Sequence, residues 1–533
     1  MKTCPAEAAV PTPKRPHVKT RRAVRATQAQ TQQLAEAIWE TPLAAARAAA
    51  QALTQASLTA AEVQAWTSDL AARLQLIQQH PEQNLGHIEE QIAQASREPQ
   101  RLLAQRAAQL KANATPSPCP QCQDELTQRK CLSRTIYSRF GRLEIFRAYG
   151  WCRRCQDWCF PADHALGLGH SSPASPYLQE ISALLVSKMP AEQAHRVAER
   201  LGLRLAPRTL HREAQRQGVK AQALRAQSVA ELDTWQDLTQ LARATQVPAS
   251  QPFTMVIEID AWNIRERDDW GQTQARREQQ QEPSRWHWVY MGTVFRLDHR
   301  GQTVSTQRAF ITQRGYVATR QGIDALLPQL YREAIQRGLF QAERVLVIAD
   351  GALWIWDAAA DRFKDAVLRL DLWHADEHLW EVARDLYGQG TPEARQWLKP
   401  LLDQVRQDQT PAVIQTLTEL LPRLSLSLQD KVEKQITYFK NNENRMKYRA
   451  ILDARKACED GTATATQIQQ AQEPLGSGAI ESTCRQYQCR FKRTGQFWTQ
   501  EGDEALMALE TLWRNDRWHR LFPHAQPASP MLN

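Results

Sequence analysis

The chain contains 533 residues and carries a net charge of +9. It has no apolar run near the roughly 18 residues of a membrane helix, and its basic N-terminus lacks the apolar segment of a secretory signal. We therefore expect a cytoplasmic protein of several domains, with no membrane association, whose positive charge favours a polyanionic partner. The 10 cysteines of such a protein indicate metal binding before disulfides.

The N-terminal region is predicted to be a basic tail followed by helices. In residues 1–28, seven lysines and arginines oppose one acid, which indicates disorder. The tail could contact the phosphates of a DNA backbone, and a solvated tail with no role is an equal alternative. Residues 29–112 are rich in Ala, Gln and Leu at helical spacing, and three prolines would divide them into about four helices used for dimerisation or DNA contact. These prolines are Pro42, Pro81 and Pro99.

Residues 113–165 contain two Cys-x₂-Cys pairs with 29 residues between them. Each pair can present two thiolates to one ion, and two pairs complete a tetrahedron, so we predict a zinc-ribbon-like module with one structural Zn²⁺. The predicted ligands are Cys119, Cys122, Cys152 and Cys155; free thiols are the alternative. The segment between the pairs is predicted to form a hairpin around Gly141. Cys131 and Cys159 remain, and are predicted to be small buried thiols.

Residues 166–250 are predicted to be helical and to include a possible DNA-binding element. Two helical patterns within residues 191–218 are joined by a turn marked by Gly202 and Pro207, with the proportions of a helix-turn-helix. The second helix would expose basic residues suited to a major groove. The candidate DNA contacts are Arg208 and Arg212, flanked by His211 and Arg216. Plain helix packing is an equal alternative.

Residues 251–383 are predicted to form the first part of an α/β core. The apolar run Val345–Ala349 ends at Asp350, which is typical of a strand buried on both faces. Thr254–Trp262 has the same design and carries Asp260 near its end. Open α/β sheets place their binding and catalytic residues at the carboxyl ends of such strands. A simple turn is the alternative interpretation of the pair Asp350-Gly351.

Further elements complete the predicted core. Residues 286–297 and 303–312 are predicted to be antiparallel neighbours of the Asp260 strand, followed by a helix at 322–338 and a strand at 367–372. The order of three strands, helix, strand, helix, strand, helix matches a ribonuclease-H-like plan. Residues 384–474 are helical in pattern and are predicted to be an all-helical insertion.

A third acid, Glu481, follows the break Gly476–Gly478 and opens a helix in residues 475–533, which would complete the core with C-terminal helices. Two strand acids and one helix acid suit a two-metal phosphoryl-transfer site, because Mg²⁺ takes hard oxygen ligands and two such ions activate the attacking oxygen and stabilise the leaving one. The predicted catalytic and metal-binding residues are Asp260, Asp350 and Glu481. Helix capping is the alternative for Glu481.

Other polar residues near these acids are predicted to support the site. Basic residues after Glu481 on its helix would hold the phosphates of the scissile strand, with a solvated basic face as the alternative. They are Arg485, Arg490, Lys492 and Arg493. Asp371 and His374 are predicted to brace the site through hydrogen bonds, with ordinary polar core residues as the alternative. The charged stretch 265–283 is predicted to loop out.

Six motifs occur in a fixed order: EIDAW, ADGALW, LDLWHADEHL, YFKNNENRMKY, GSGAIES and FKRTGQFW. Over roughly residues 115–520 the chain resembles the insertion-sequence DDE transposases of the ISKra type. The resemblance implies that Asp260, Asp350 and Glu481 hold two Mg²⁺ (or Mn²⁺) ions, with Asp371 and His374 as an accessory motif. It also implies an inserted helix that returns toward the site carrying Tyr438, Asn441, Asn442, Arg445, Met446 and Tyr448.

The expected fold is an α/β ribonuclease-H-like catalytic core with an all-helical insertion, preceded by helical segments and a zinc-ribbon-like module. The expected function is a nucleoid-associated DNA transposase that cleaves the ends of an insertion sequence by two-metal hydrolysis and transfers the 3′ ends to target DNA. Its partner would be double-stranded DNA, and handling two ends would require a homodimer or larger assembly. The alternatives are a structure-specific nuclease on the same fold and a non-catalytic zinc-ribbon DNA-binding protein derived from a transposase.

Overall fold

The computed structural model describes residues 60–80, 84–169, 172–244, 252–267, 278, 286–306 and 309–525. The tail at 1–28, the start of the predicted helical region to residue 59 and most of the stretch 265–283 lie outside the described residues. The chain divides into two compact units, Met1–Leu178 and Gln179–Asn533. Among the described residues, none of the helices combines the length and apolar character needed to cross a lipid bilayer.

The first unit contains two helices followed by a small antiparallel sheet. The helices are α1 (Ala60–Gln79) and α2 (Leu85–Ala114). The strands are β1 (Thr127–Ser138), β2 (Gly141–Cys152) and β3 (Asp157–Cys159), which pair in that order, and the short helix α3 (Pro161–Ala165) follows. Ser138 pairs with Gly141, so β1 and β2 form the predicted hairpin, and Gly141 adopts a φ of +125° at its turn. Pro99 lies inside α2 and does not end a helix, so that prediction is wrong.

The second unit begins with four helices: α4 (Pro176–Lys188), α5 (Ala191–Arg200), α6 (Pro207–Ala230) and α7 (Trp235–Arg243). The predicted helix, turn and helix are present as α5, a turn containing Gly202 at φ +75°, and α6. However, α6 continues past Gly218, where the sequence pattern predicted its end. A Cβ at Gly218 would approach the Cβ of Ala505 to 2.6 Å, so this glycine permits a close helix crossing.

A five-stranded mixed sheet forms the centre of the second unit. Its strands lie in the order β10-β9-β4-β5-β8, with β10, β9 and β4 parallel and β5 antiparallel to both of its neighbours. The strands of this unit are β4 (Thr254–Arg265), β5 (Trp286–Arg296), β6 (Arg300–Gln302), β7 (Ala309–Ile311), β8 (Arg314–Thr319), β9 (Arg344–Ala349) and β10 (Val367–Leu370). Because β4, β9 and β10 are adjacent and parallel, their carboxyl ends meet at one edge of the sheet.

The third strand along the chain differs from the predicted one. The described residues of this segment, 303–306 and 309–312, do not enter the main sheet; β7 among them pairs with β6 in a separate two-stranded sheet. The strand that pairs with β5 is β8, in which Val317 and Ala318 are buried. Residues 303–306, including the apolar Val304, are exposed and bury no apolar face, whereas β8 does, so burial selects β8 despite the strand propensity of both segments.

Alternate residues of β4 face two different layers, as strand geometry requires. Met255, Ile257 and Ile259 belong to the main apolar core, which includes residues of α8 (Ile323–Gln336), α9 (Leu353–Arg362) and the inserted helices. Val256 points to the other face, where it packs with Ile348 and Ala479. The alternation therefore directs Glu258 and Asp260 toward the face that contains Ala479.

Residues 384–474, all of them described, contain helices and no strand. The helices from β10 onward are α10 (Leu372–Tyr387), α11 (Pro392–Arg406), α12 (Thr410–Leu420), α13 (Leu426–Asn442), α14 (Arg449–Glu459), α15 (Ala465–Ala471), α16 (Gly478–Phe491), α17 (Gln500–Arg514) and α18 (Trp518–Leu521). The backbone N–H of Leu372 donates to the carbonyl of Leu475 at 3.0 Å. The segment from Leu372 to Leu475, called the helical excursion below, therefore leaves the sheet edge and returns to it at one point.

Candidate active site

Three aspartates lie where the pairing of the three parallel strands stops: Asp260 within β4, just past its last pair with β9, and Asp350 and Asp371 directly after β9 and β10. Glu258 pairs with Ile348 in the parallel register of β4 and β9, and continuing that register by two residues places Asp260 beside Asp350. Leu370 of β10 pairs with Ala349, so Asp371 follows at the same edge. Neighbouring strands lie about 4.8 Å apart, which brings the three acids close together at the carboxyl edge of the sheet.

Helix α16, which carries Glu481, is held against the sheet by two buried carboxylates. Glu258 is 1% exposed and accepts the N–H of Ile480 at 2.7 Å. Asp371 accepts both the backbone N–H and the hydroxyl of Ser477, each at 2.6 Å. The N–H of Ile480 also reaches the carbonyl of Ser477 at 3.1 Å, whereas the N–H of Ser477 precedes the helix and has no acceptor within it. The bonds to Glu258 and Asp371 fix the first turn, and therefore Glu481, at the sheet edge.

Asp371 caps a second helix with its other oxygen. Its Oδ1 accepts the N–H groups of Trp373 at 2.6 Å and His374 at 3.3 Å at the start of α10. Burial alone would raise the pKa of Asp371, but His374 and Ser477 hold this pKa below its ordinary value. A Cβ at Gly476 would approach Cδ1 of Trp373 to 2.6 Å, so the glycine in this turn allows the indole to lie against the chain.

The imidazole of His374 lies among the acids. Its Nδ1 is 3.5 Å from Oδ2 of Asp371, and the ligand atoms of Asp371, His374 and Glu481 all lie within 4.8 Å of one another. The neighbouring carboxylates, Asp371 first and then Asp350 and Glu481, raise the pKa of His374 to about 9 against the effect of its burial. His374 therefore carries a positive charge near neutral pH in the free protein and offsets repulsion among the acids.

Cys484 connects Asp260 to the same helix. The thiol lies one turn after Glu481 on α16 and is buried. Burial raises the pKa of Cys484 far above its ordinary value, and the negative charges of Asp260 and Glu481 raise it further. Burial likewise raises the pKa of Asp260, and the charge of Asp350 adds to the increase. The face of α16 that carries Glu481 is thus directed at Asp260.

The arrangement partly follows the expected trio of acids. Asp260 and Asp350 lie side by side on adjacent strands, and Glu481 lies at the same edge. Among the described residues, however, the acid-containing group within 4.8 Å joins Glu481 to Asp371 and His374. The two residues predicted as accessory are therefore close enough to Glu481 to share an ion with it.

The helical excursion contributes contacts that fix the backbone of the site. The hydroxyl of Tyr438 on α13 donates to the carbonyl of Asp350 at 2.7 Å, and its ring stacks on His378 with centroids 3.6 Å apart. The hydroxyl of Tyr448 donates to the carbonyl of Leu370 at 3.0 Å. Tyr448 lies beyond the end of α13, so the residues of the returning motif occupy one helix and the segment after it. The excursion thus holds the ends of β9 and β10.

The predicted DNA contacts differ in their accessibility. Arg485, Lys492, Arg208 and Arg212 are exposed, and Arg493 is half-buried with a bond to Gln193 at 3.0 Å. Arg490 is only 7% exposed, and it donates to the carbonyl of Val186 at 2.7 and 3.2 Å. The expectation of an exposed contact is wrong for Arg490, because the helix turns this side chain inward against α4.

The cysteines of the first unit form a compact cluster. The sulfur of Cys119 is 3.8 Å from that of Cys155, and the sulfurs of Cys122 and Cys152 are 3.4 Å apart. A tetrahedral ion with Zn–S bonds of 2.3 Å would separate its sulfurs by about 3.8 Å, so these four thiols fit such a site. Backbone N–H groups lower the pKa of the Cys119 thiol to about 6 although burial acts to raise it.

Three of these features were missed by sequence reasoning. Cys159 is half-buried rather than buried, so the expectation of a small buried thiol is wrong, and its sulfur is 3.6 Å from that of Cys119, which adds it to the cluster. Glu258 interrupts an apolar strand pattern, which is the signal that could have revealed it as a buried cap. Cys484 has no comparable signal, since one cysteine in a helix is compatible with many roles.

No protein-family model matches the chain, and no curated protein matches it significantly. Arguments about activity therefore depend on the residues and their geometry.

Proposed function

We propose that this protein is a DNA transposase of the DDE type, which cleaves the ends of an insertion sequence and joins the 3′ ends to target DNA. The observation that carries the proposal is the convergence at one sheet edge of Asp260 and Asp350, which the parallel register places side by side, with the helix of Glu481, which Glu258 of the same strand holds by a hydrogen bond. Acids converging in this way suit metal-dependent phosphoryl transfer. The resemblance of six ordered motifs narrows this chemistry to transposition.

The strand arrangement supports a ribonuclease-H-like core. Numbered along the chain, the five strands lie in the order 5-4-1-2-3, with the second antiparallel to the first and third and the last two parallel to the first. The two strand acids then belong to the first and fourth strands, which are neighbours. The helical excursion enters after the fifth strand and before the helix of Glu481.

The donor set suits Mg²⁺ or Mn²⁺, because it consists of carboxylate oxygens with one imidazole nitrogen nearby. Asp260, Asp350 and Glu481 would hold two ions, with His374 able to reach Glu481. When bound, such ions lower the pKa of a water molecule and neutralise charge on a leaving oxygen. The protein's own contribution is positional: Asp371 and Glu258 fix the helix of Glu481, and Tyr438 fixes the turn after β9.

DNA binding is proposed for several surfaces. Arg485 and Lys492 extend from the acids along exposed positions of α16, where they could contact backbone phosphates. Arg208 and Arg212 are exposed near the start of α6, as expected for a helix entering a groove. The zinc-ribbon-like module would recognise the transposon ends, and a homodimer or larger assembly would hold two ends together.

A strand-joining assay tests the proposal. The full chain would be mixed with Mg²⁺, a DNA fragment carrying a pre-cut end of the element that flanks this reading frame, and a circular target plasmid. We expect joined products, which Asp260→Asn, Asp350→Asn and Glu481→Gln should abolish without loss of DNA binding. Glu377→Gln, which changes an exposed acid on α10, serves as the matched control and should retain joining.

Two outcomes would reject the proposal in different ways. Cleavage of branched DNA without any joining would favour the structure-specific nuclease. DNA binding with neither cleavage nor joining in Mg²⁺ or Mn²⁺ would favour a non-catalytic DNA-binding protein.

A further inference from the structure

The second unit contains a cavity of about 910 Å³ next to the C-terminal end of α16. It lies between the start of α6, the last turns of α16 and the segment that leads to α17. Its walls include basic, amide and aromatic side chains: His211, Arg490, Arg493, Gln496, Phe497 and Trp498. Ligand sites in proteins commonly measure about 300–1,000 Å³, so the cavity is large enough for a nucleotide.

Arg490 contributes a buried guanidinium to the lining of this cavity, which also includes the acid Glu501. The side chain of Arg490 is 7% exposed, and two of its nitrogens donate to the carbonyl of Val186. In the part of the chain that the structure describes, its Nη1 has no hydrogen-bond partner. A buried donor without an acceptor is unfavourable, and a phosphate oxygen that reached Nη1 would relieve that penalty. Arg493 lines the same cavity and adds a second guanidinium.

The lining of the cavity also includes a hydrogen-bond acceptor next to an aromatic ring. Within the described residues, Oε1 of Gln496 is buried and has no donor. The adjacent ring of Phe497 has the guanidinium groups of Arg265 and Arg267 at 5.0 Å from its centroid. Aromatic rings combined with guanidinium groups bind unpaired bases in many single-strand sites, because a base stacks on the ring while the cations attract the backbone.

We propose that this cavity holds one unstacked nucleotide of the DNA substrate, with its base against Phe497 and Gln496 and its phosphate facing Arg490 and Arg493. The inference depends on the proposed function, since DNA engaged at the acids would supply the strand. Arg490 lies nine residues after Glu481 on α16. That separation is about 14 Å along the helix, or roughly four nucleotide steps of B-form DNA, so the cavity can capture a base close to the cleavage site.

Fluorescence anisotropy with two labelled DNAs tests this inference. One DNA is a blunt duplex, and the other is the same duplex with a short unpaired arm. We expect Phe497→Ala to weaken binding of the armed duplex about tenfold, as loss of one stacked base predicts, and to leave the blunt duplex unaffected. Gln496→Ala should weaken the armed duplex about fivefold, as loss of one hydrogen bond predicts. Phe340→Ala removes an exposed phenylalanine from a short helical turn elsewhere and should change neither affinity.

A second measurement covers the case in which Phe497→Ala fails to fold. The wild-type protein is titrated onto the armed duplex with 2-aminopurine in the arm, and we expect quenching that Gln496→Ala reduces. Unchanged affinity of both cavity variants, or equal affinity of the wild type for blunt and armed DNA, would overturn the nucleotide site alone. Failure of the wild type to bind either DNA would overturn the proposed function as well.

Discussion

The carboxylate of Asp371 accepts two hydrogen bonds of 2.6 Å from Ser477, which lies 106 positions further along the chain. Its other oxygen accepts N–H groups at the start of α10. One fully buried acid therefore joins the first turn of the helix that carries His374 to the turn before the helix that carries Glu481. The positions of His374 and Glu481 are coupled through it.

Replacement of Asp371 by Asn should damage both stability and activity. An amide has only one acceptor oxygen, so its NH₂ group would face the donors of either Ser477 or α10. We expect a loss of about 3 kcal/mol in the free energy of unfolding and loss of cleavage. Ser477→Ala keeps the backbone bond and should lose only about 1 kcal/mol. Urea denaturation and a cleavage assay compare the two variants, and equal effects would argue against the double cap.

Tyr438→Phe should slow the reaction more than it destabilises the protein. The substitution removes only the hydroxyl that donates to the carbonyl of Asp350 at 2.7 Å. We expect about 1 kcal/mol of destabilisation and, because Asp350 would lose a positioning contact, a rate of cleavage lower by about tenfold. Tyr387→Phe, at a partly exposed position on α10, is the control. A wild-type rate for Tyr438→Phe would show that this bond does not position the acid.

Stability should depend on pH through Glu258. Burial raises the pKa of Glu258 from 4.5 to about 8. Because the folded protein keeps a proton that the unfolded chain releases, the free energy of unfolding should fall as pH rises from about 4.5 toward 8. Glu258→Gln retains an acceptor for the N–H of Ile480 and cannot ionise. The fall in the free energy of unfolding with pH, on the order of a few kcal/mol in the wild type, should therefore be absent from this variant.

Urea denaturation at several pH values in metal-free buffer measures this effect. The wild type and Glu258→Gln should be similar at low pH and should diverge as pH rises, with the variant more stable. Parallel dependence on pH in the two proteins would show that Glu258 is not the group responsible.

Zinc content tests the cysteine cluster. The purified chain should contain about one Zn²⁺, and Cys122→Ser should lose it, because three thiolates bind the ion less tightly than four. Cys458→Ser changes an exposed cysteine outside the cluster and should keep the ion. Cys159→Ser should also keep it. Loss of zinc from Cys159→Ser with retention by Cys155→Ser would instead place Cys159 among the four ligands.

The sheet could largely be predicted from the sequence where burial is one-sided or complete. Val345–Ala349 lies in β9, and Thr254–Trp262 lies in β4, because continuous apolar runs have no other place to be buried. Residues 303–312 misled the prediction because strand propensity says nothing about which segment finds an apolar partner. Tertiary burial selected β8 instead.

The site was harder to predict because its connections are long-range. Asp371 was predicted to form bracing hydrogen bonds, and it does accept several, yet nothing local indicates that Ser477 would be its partner. The burial of Arg490 depends on α4, and the proximity of Cys159 to Cys119 depends on the return of β3 to β2. Periodicity describes one element at a time, whereas these contacts join elements that are far apart in sequence.

The bond from Leu372 to Leu475 has a consequence for how such chains can diverge. Since the helical excursion begins and ends at the same point of the sheet edge, insertions or deletions in its outer helices need not displace Glu481. Spacing between the second aspartate and the glutamate is therefore a poor guide when distant relatives are sought. The aspartate after β10 and the turn at Ser477 are instead tied to each other directly, whatever the length of chain between them.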